Sequence, residues 1–303
     1  MMLIKTFDII YSAKDKILST LYEAPPLEVL EKLQEIWVRY KPQMISDPGC
    51  IGSIDSGYNW VELRGYYLYI LNAGYIDTCS NKYEYAEIDI RDLTDDPKDF
   101  LDIRSIRSEF EVLKETIDLS NKLILVDGSL IKKIYSINKF LREKPDIELS
   151  RQLRDIVDTL SNKDLSKIIF IAKNSGSQDL VRSIIGSFYN KPDIHLLEEY
   201  TSEIGFAKHS TFNIEFLGVE FKISMAYIRL EAKKPILRIE YLKESSDMDY
   251  LRKILDILYS MSHNGYPIIL SLIDKLVRVS DEDIMKIFNL LDIADLRNKI
   301  KLR

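Results

Sequence analysis

The sequence predicts a single α/β domain in which a mixed β-sheet is flanked by helices. Three β-rich runs follow one another between residues 54 and 90, and two short apolar runs further along alternate with helical patterns. Consecutive strands favour antiparallel pairing, whereas strands separated by helices favour parallel pairing, so the sheet should be mixed. The chain has 303 residues, of which 46% are hydrophobic, and can bury a large core. We find no low-complexity linker that would divide it.

The composition limits the kinds of function that the chain can have. The formal net charge is -6, so a nucleic-acid partner would have to meet a local basic patch. The two cysteines and three histidines are scattered without paired CxxC spacing, which argues against a zinc site. No run reaches the roughly 18 apolar residues of a membrane span, and the start lacks a cleavage site behind an apolar core. We therefore expect a cytoplasmic protein without a membrane partner.

The first 48 residues have a helical pattern, with Leu27, Leu30 and Leu33 at helical spacing behind Pro25-Pro26. We assign residues 1–50 to an N-terminal helical arm. From Gly52 the period changes to that of strands. The following segments predict an antiparallel meander: Ile54–Gly57, Tyr66–Ile76 and Tyr83–Ile90.

A helix should follow at Arg104–Leu119, and the apolar run Leu123–Asp127 is typical of a strand buried on both faces. Residues 130–164 are charged and helical, and Lys167–Lys173 is a second short buried strand. The turn NSGS then opens a helix near Gln178. The remaining segments are a hairpin of Lys222–Leu230 and Pro235–Leu242, and three C-terminal helices from Asp247, broken at Asn264-Gly265 and Ser280.

Two segments deliver an aspartate at a strand followed by Gly or Ser: IDSGYNW, which contains Asp55, and LVDGSL, which contains Asp127. Mg²⁺ and Mn²⁺ prefer hard oxygen ligands, and small neighbouring residues leave room for water and a phosphate. One such aspartate alone is more often a turn cap. Two of them on separate strands favour a metal site.

The helix between these strands carries Glu109, Glu111 and Glu115. Glu115 points almost directly away from the apolar stripe and should be solvated. Glu109 lies nearer the stripe than Glu111, and helical geometry by itself does not choose between them as a metal ligand.

The order and spacing of several motifs resemble those of the NurA nuclease family. The segments that carry the resemblance are IDSGYNWVELRGYYLYILNAGYI at Ile54–Ile76, LVDGSL at Leu125–Leu130 and GYPIILSLIDK at Gly265–Lys275. Weaker similarities occur at 171–180, 198–208 and 227–242. The resemblance covers most of the chain beyond about residue 50, so we assign residues 51–303 to a NurA-like nuclease domain with a helical insertion at about 130–164.

This resemblance implies an RNase H-like core and a Mn²⁺-dependent deoxyribonuclease, with Mg²⁺ as a second possible ion. The implied activities are endonuclease cleavage of single-stranded DNA and 5′–3′ exonuclease cleavage of single- and double-stranded DNA. The implied setting is DNA-end resection in double-strand break repair. The resemblance also implies a homodimer and a hexameric HerA-type helicase-translocase as partner.

Carried over by motif, Asp55 and Asp127 match the family's aspartates, and Glu111 is the best match to its helical glutamate. Asp274 stands where the family often carries a histidine. A carboxylate also binds a hard divalent ion, so we interpret Asp55, Glu111, Asp127 and Asp274 as a four-acid set; the alternative for Asp274 is a solvated helix residue. We expect two metal ions about 3.5–4 Å apart, shared by Asp55 and Asp127, in an in-line phosphodiester displacement.

Lys173, at the end of a buried strand, and Arg238, in a hairpin strand, are candidates for phosphate contacts. Surface ion pairs are an equally good interpretation of both. Tyr227 could stack on a base, although core packing is the commoner role of tyrosine. The basic run Lys132–Lys144 could guide DNA or be a solvated helix.

Two other functions fit the same residues. One is a non-catalytic or weakly active adaptor that keeps the fold and the helicase interface. The other is an RNase H-like enzyme that acts on RNA or branched DNA. A Mn²⁺ titration with linear DNA separates the adaptor from the nuclease, because an adaptor binds without degrading.

Overall fold

A mixed β-sheet lies at the centre of the structure, and helices cover both faces of this sheet. The structure is a computed structural model, and it describes residues 4–21, 27–63, 65–93, 96–120, 122–185, 191–242 and 248–291. The strands are β1 (Trp37–Arg39), β2 (Ile51–Leu63), β3 (Tyr66–Asp77), β4 (Lys82–Asp92), β5 (Leu123–Asp127), β6 (Ile168–Ala172), β7 (Gly205–Phe216), β8 (Val219–Arg229), β9 (Leu237–Tyr241), β10 (Ser262–His263) and β11 (Tyr266–Pro267). The helices are α1 (Ile4–Leu21), α2 (Leu27–Ile36), α3 (Pro97–Thr116), α4 (Leu130–Glu143), α5 (Ile147–Ser161), α6 (Asp179–Ile185), α7 (Asp193–Tyr200), α8 (Met248–Ser260), α9 (Ile268–Val277) and α10 (Asp281–Leu290).

The main sheet has nine strands in the order β1-β7-β8-β9-β6-β5-β2-β3-β4. Strands β2, β3 and β4 form the predicted antiparallel meander. Strand β5 pairs in parallel with β2, and β6 pairs in parallel with β5. The chain reaches β5 from the meander through α3, and it reaches β6 from β5 through α4 and α5. The other strands pair antiparallel. The predicted α/β fold class, a mixed sheet flanked by helices, is confirmed.

Strand β5 lies in the centre of the core. Its residues alternate between two hydrophobic clusters: Ile124 and Val126 pack with residues of α3, α4 and α5, whereas Leu123 and Leu125 pack with residues of α8 and α9. All four side chains are buried. A strand covered on both faces needs apolar residues at every position, and the continuous run LILV meets that need.

Helices α3 and α9 cover β2 from opposite faces of the sheet. Helix α3 begins where the Asp96 side chain accepts a hydrogen bond from the Lys98 backbone, with Pro97 at the first helical position. On the other face, the end of α9 approaches β2 so closely that a Cβ on Gly57 would lie 2.7 Å from the Val277 carbonyl oxygen. Gly57 therefore permits α9 to pack directly on the strand that carries Asp55.

The N-terminal arm differs from its prediction near its end. Residues 37–39 form β1 at the sheet edge and pair with Gly205–Ala207 of β7 instead of continuing the helix. Trp37 is 7% exposed, and its ring lies beside Gly205, where a side chain would clash. Long-range pairing thus overrides the local helical period. Strand β7 itself was not predicted, and the proposed boundary between arm and nuclease domain stays a prediction.

A disulfide joins Cys50, which precedes β2, to Cys79 in the turn between β3 and β4. This disulfide was not predicted, because two cysteines 29 residues apart carry no pairing signal in a single sequence. Among the helices that the structure describes, none combines the length and the apolar character needed to cross a membrane.

Candidate active site

Asp55 and Asp127 are side by side on neighbouring parallel strands. Ile54 of β2 pairs with Val126 of β5, so the next residue of each strand is one of the two aspartates. Adjacent strands lie about 4.8 Å apart, and residues in register point to the same face of the sheet. Asp55 is buried at 7% exposure, whereas the Asp127 side chain is 30% exposed at the carboxyl end of its strand. The two motif aspartates are therefore brought together.

Helix α3 adds the carboxylate of Glu109 to this pair. Glu109 is 4% exposed, and its Oε1 accepts a hydrogen bond of 2.6 Å from the Ser56 hydroxyl. Its other oxygen contacts the ammonium group of Lys133, from the first turn of α4. The Lys133 side chain passes Gly128, where a Cβ would lie 3.2 Å from its Cε and where φ is +90°. Glycine at position 128 therefore permits the positive φ of this turn and leaves space for the Lys133 side chain.

The electrostatics of the cluster favour a bound cation. Burial, together with the charges of Glu109 and Asp127, raises the pKa of Asp55 to about 8, against smaller opposing effects of the Ser56 amide and Lys133. Burial also raises the pKa of Glu109, against the stabilising charge of Lys133. Carboxyl groups that are buried together resist ionisation because their negative charges would repel one another, and a divalent cation would offset that repulsion and favour the ionised form.

Two further side chains contact Asp127. The Tyr266 hydroxyl donates a hydrogen bond of 2.9 Å to Asp127 Oδ1. Burial and the charge of Asp127 raise the pKa of Tyr266, which keeps the phenol a neutral donor. Lys173 Nζ lies 4.0 Å from the same oxygen and 4.2 Å from the centroid of the Tyr266 ring. Tyr266 and Lys173 therefore form one wall around the exposed aspartate.

The donor set fits a hard divalent cation in its chemistry, because it offers carboxylate oxygens in a partly buried, negatively charged cluster. The ligands are not fully assembled, however. Within the described ranges, no three Asp, Glu, His or Cys side chains already converge around one ion position. The Lys133 ammonium group instead holds one Glu109 oxygen.

Glu111 lies outside the cluster. It forms ion pairs with Lys114 at 2.8 Å and with Arg107 at 3.6 Å. Two residues along a helix correspond to a rotation of about 200°, so Glu109 and Glu111 cannot face the same strand. The helical carboxylate beside Asp55 is Glu109, and the preference for Glu111, which rested on motif similarity, does not match this geometry.

Asp274 is near the site but not part of the buried cluster. It lies on the exposed side of α9, and its charge contributes to the raised pKa of Tyr266. The structure therefore leaves both interpretations of Asp274 as they stood, a ligand at the edge of the site or a solvated residue.

The two other residues predicted to contact the substrate, Tyr227 and Arg238, are both buried. Tyr227 is fully buried and donates a hydrogen bond of 2.7 Å to Asp193, so the prediction that it stacks on a base is wrong and its role is core packing. Arg238 is also buried, with Nε 2.7 Å from Glu240 Oε1 and Nη1 3.3 Å from Ser175 Oγ. Arg238 therefore contacts the loop after β6 through Ser175.

Sequence reasoning missed Lys133, Ser56 and Tyr266. A signal existed for Lys133, because side chains in the first turn of a helix point back towards the preceding corner, here the one that follows Asp127. Tyr266 belongs to the GYP motif, but nothing local indicates that its hydroxyl reaches a strand 139 residues earlier.

The chain matches a family model described as the NurA domain over residues 50–279. It belongs to the NurA family. Curated relatives named DNA double-strand break repair nuclease NurA include one from Sulfolobus acidocaldarius, 25% identical over 340 residues and 96% of each chain. Another, from Sulfurisphaera tokodaii, is 27% identical over 327 residues and 95% of each chain.

Solved NurA structures share the fold of this family member. The crystal structure of the NurA nuclease from Sulfolobus solfataricus superposes with a TM-score of 0.77 at 23% identity, over 100% of both chains. A crystal structure of NurA bound to dAMP and manganese gives a TM-score of 0.64 at 13% identity, over 95% of this chain and 99% of the other. The sequence-based assignment to the NurA family is confirmed.

Proposed function

We propose that this chain is a metal-dependent DNA nuclease that acts at DNA ends in double-strand break repair. The observation that carries the proposal is the placement of Asp55 beside Asp127 on adjacent strands, with Glu109 near enough for its charge to raise the pKa of Asp55. The names of near-full-length relatives, DNA double-strand break repair nuclease NurA, support the same activity.

In this proposal Asp55, Asp127 and Glu109 would hold two divalent cations, Mn²⁺ or Mg²⁺. When bound, such ions supply an activated water and stabilise the leaving oxygen of the phosphodiester. Tyr266 orients Asp127 through its hydrogen bond, and Lys173 is positioned to contact a phosphate. A crystal structure of NurA that contains dAMP and manganese supports this choice of ion and substrate.

The finer activities rest on the family resemblance. We propose endonuclease cleavage of single-stranded DNA and 5′–3′ exonuclease cleavage of single- and double-stranded DNA. A hexameric HerA-type helicase-translocase would supply the DNA end, and the chain would act as a homodimer in the cytoplasm.

A pair of matched substitutions on α3 tests the site. Glu109→Gln should lower Mn²⁺-dependent cleavage of end-labelled linear DNA by at least about a hundredfold, since it removes a carboxylate from the cluster. Glu111→Gln makes the same chemical change on the same helix and should leave the cleavage rate near that of the unmodified protein. Asp127→Asn should abolish cleavage.

Circular dichroism spectra and thermal unfolding of each variant control for folding. Cleavage that survives Asp127→Asn contradicts the proposed site. A large loss in Glu111→Gln with none in Glu109→Gln reverses the assignment of the helical acid.

The contact between Lys133 and Glu109 favours a second candidate function, the non-catalytic adaptor. A lysine already neutralises one carboxylate, and the described residues show no assembled ion site. An adaptor would bind labelled DNA and leave it intact across the whole Mn²⁺ titration, whereas a nuclease would degrade it as the Mn²⁺ concentration rises.

A further inference from the structure

A cleft of about 960 Å³ opens directly beside Asp127, between the start of α4 and the loop that follows β6. Its rim carries Lys132 and Tyr135 from α4, Lys173 after β6, and Arg182 from α6. Three of these residues, Lys132, Tyr135 and Arg182, have no place in the metal site described above. Tyr135 is 66% exposed.

The charge of the cleft is opposite to that of the chain. Lys132, Lys173, Arg182 and Arg238 line it against the acids Asp127 and Asp179, whereas the whole chain has a net charge of -6. Glu240 neutralises Arg238 at 2.7 Å, and the other three cations that line the cleft are Lys132, Lys173 and Arg182. A local excess of cations beside an acidic centre is the pattern that a polyanionic substrate requires.

Tyr135 and Lys132 are three residues apart on α4, and residues at this spacing share a helix face. Both side chains are exposed. An exposed aromatic ring next to a lysine matches the two needs of a single nucleic-acid strand, which stacks its bases on aromatic rings and pairs its phosphates with cations.

The walls of the cleft are anchored to one buried ion pair. On one side, the Ser129 hydroxyl donates to Glu240 at 2.7 Å, and on the other, Arg238 donates to Ser175 Oγ at 3.3 Å. Arg238 and Glu240 are joined at 2.7 Å within β9. The cleft is therefore held open before any ligand enters, which lowers the entropic cost of binding.

We propose that this cleft is a single-strand subsite, in which Tyr135 stacks on a base and Lys132, Lys173 and Arg182 contact the backbone phosphates on either side. The inference rests on the proposed function, because it takes DNA as the substrate. The cleft volume of about 960 Å³ lies within the range of about 300–1,000 Å³ that is usual for small-ligand sites, and this size suits one or two nucleotides of a single strand. A strand in the cleft leads its backbone to Asp127, so a duplex end has to open before it enters.

Binding without divalent ions tests the subsite independently of cleavage. Fluorescence anisotropy in EDTA would compare a labelled oligothymidylate with a blunt hairpin duplex. Tyr135→Ala should weaken binding of the single strand by about tenfold, whereas Tyr135→Phe, which keeps the ring, should bind as the unmodified protein does. Neither substitution should change binding of the duplex.

Lysine substitutions on the same helix give a second measurement. Lys132→Met should lower the slope of log affinity against log salt by about 0.7, the value for one phosphate contact with a single strand. Lys139→Met removes the same charge from the exposed surface of α4 outside the cleft and should leave the slope unchanged.

Single-strand binding that is insensitive to Tyr135→Ala would overturn the proposal, as would an equal loss of duplex binding. Equal salt slopes for Lys132→Met and Lys139→Met would do the same. Because EDTA removes the ions that cleavage needs, a protein that binds as expected but never cleaves would refute the proposed nuclease function and leave the subsite intact.

Discussion

Replacing Asp55 with asparagine should stabilise the metal-free protein at alkaline pH and leave its stability unchanged near pH 4. Burial and the neighbouring carboxylates raise the pKa of Asp55 from 3.8 to about 8 in the folded protein. The folded state therefore binds more protons than the unfolded state between these two values. Stability falls as pH rises through that window, and the full cost is present above pH 8. Asparagine does not titrate and avoids this cost.

The size of this stabilisation follows from the rise in the pKa of Asp55. A rise of four pKa units corresponds to about 5 kcal/mol if nothing screens the charges. Water reaches Asp127, whose side chain is 30% exposed, and screens one of the two neighbouring carboxylates, so we expect about 2–4 kcal/mol. The hydrogen bond of 2.8 Å from the Ser56 amide to Asp55 Oδ1 survives the substitution, because an asparagine carbonyl accepts it equally well.

Urea unfolding in EDTA at a series of pH values from 4 to 9 measures the difference. The free energy of unfolding of Asp55→Asn minus that of the unmodified protein should grow with pH, and added Mn²⁺ should stabilise the unmodified protein more than the variant. Glu111→Gln is the control, since it removes a carboxylate that is already ion-paired and should not gain stability at high pH. A difference that does not change between pH 4 and 9 refutes the electrostatic account of the cluster.

Three further predictions follow from neighbouring contacts. Lys133→Met leaves Glu109 buried without its counter-ion and should lower the free energy of unfolding by about 3–5 kcal/mol in EDTA; a loss below 1 kcal/mol, which is the scale of an exposed pair, contradicts the buried pairing. Tyr266→Phe removes the donor to Asp127 and should slow cleavage at saturating Mn²⁺ by about tenfold with little change in melting temperature, and an unchanged rate would show that the hydrogen bond does not orient the aspartate. Reduction of the disulfide with dithiothreitol should lower stability by about 3–4 kcal/mol, as expected for a bridge between cysteines 29 positions apart, and a melting temperature insensitive to the reductant argues against the bridge.

Most of the central fold was predictable because short-range patterns of apolar and polar residues determine it. The run at 123–126 has no polar residue, so it had to be a strand covered on both faces, and the structure buries it between two helical layers. The meander and the helix with Phe110 and Leu113 on its buried stripe follow from periods of 2 and 3.6. Trp37 departs from its predicted helix because its partner strand, β7, lies far along the chain.

The candidate site was predictable in part. Asp55 and Asp127 carry a local signal, an aspartate at a strand followed by small residues, and parallel pairing then brings them together. The choice between Glu109 and Glu111 as the helical carboxylate had no such signal, because it depends only on which face of α3 packs against the sheet. Tyr227 was chosen for its residue type, and burial removed it from the surface.

The sequence by itself determined where strands end and which residue types stand at those ends, because hydrophobic period and turn chemistry act over a few residues. Only the tertiary structure decided that Lys133 neutralises Glu109, that Tyr266 reaches Asp127, and that the rim of Tyr135 and Lys132 opens beside the same aspartate. The first two contacts join residues 24 and 139 positions apart, so they depend on how whole elements pack rather than on any local preference.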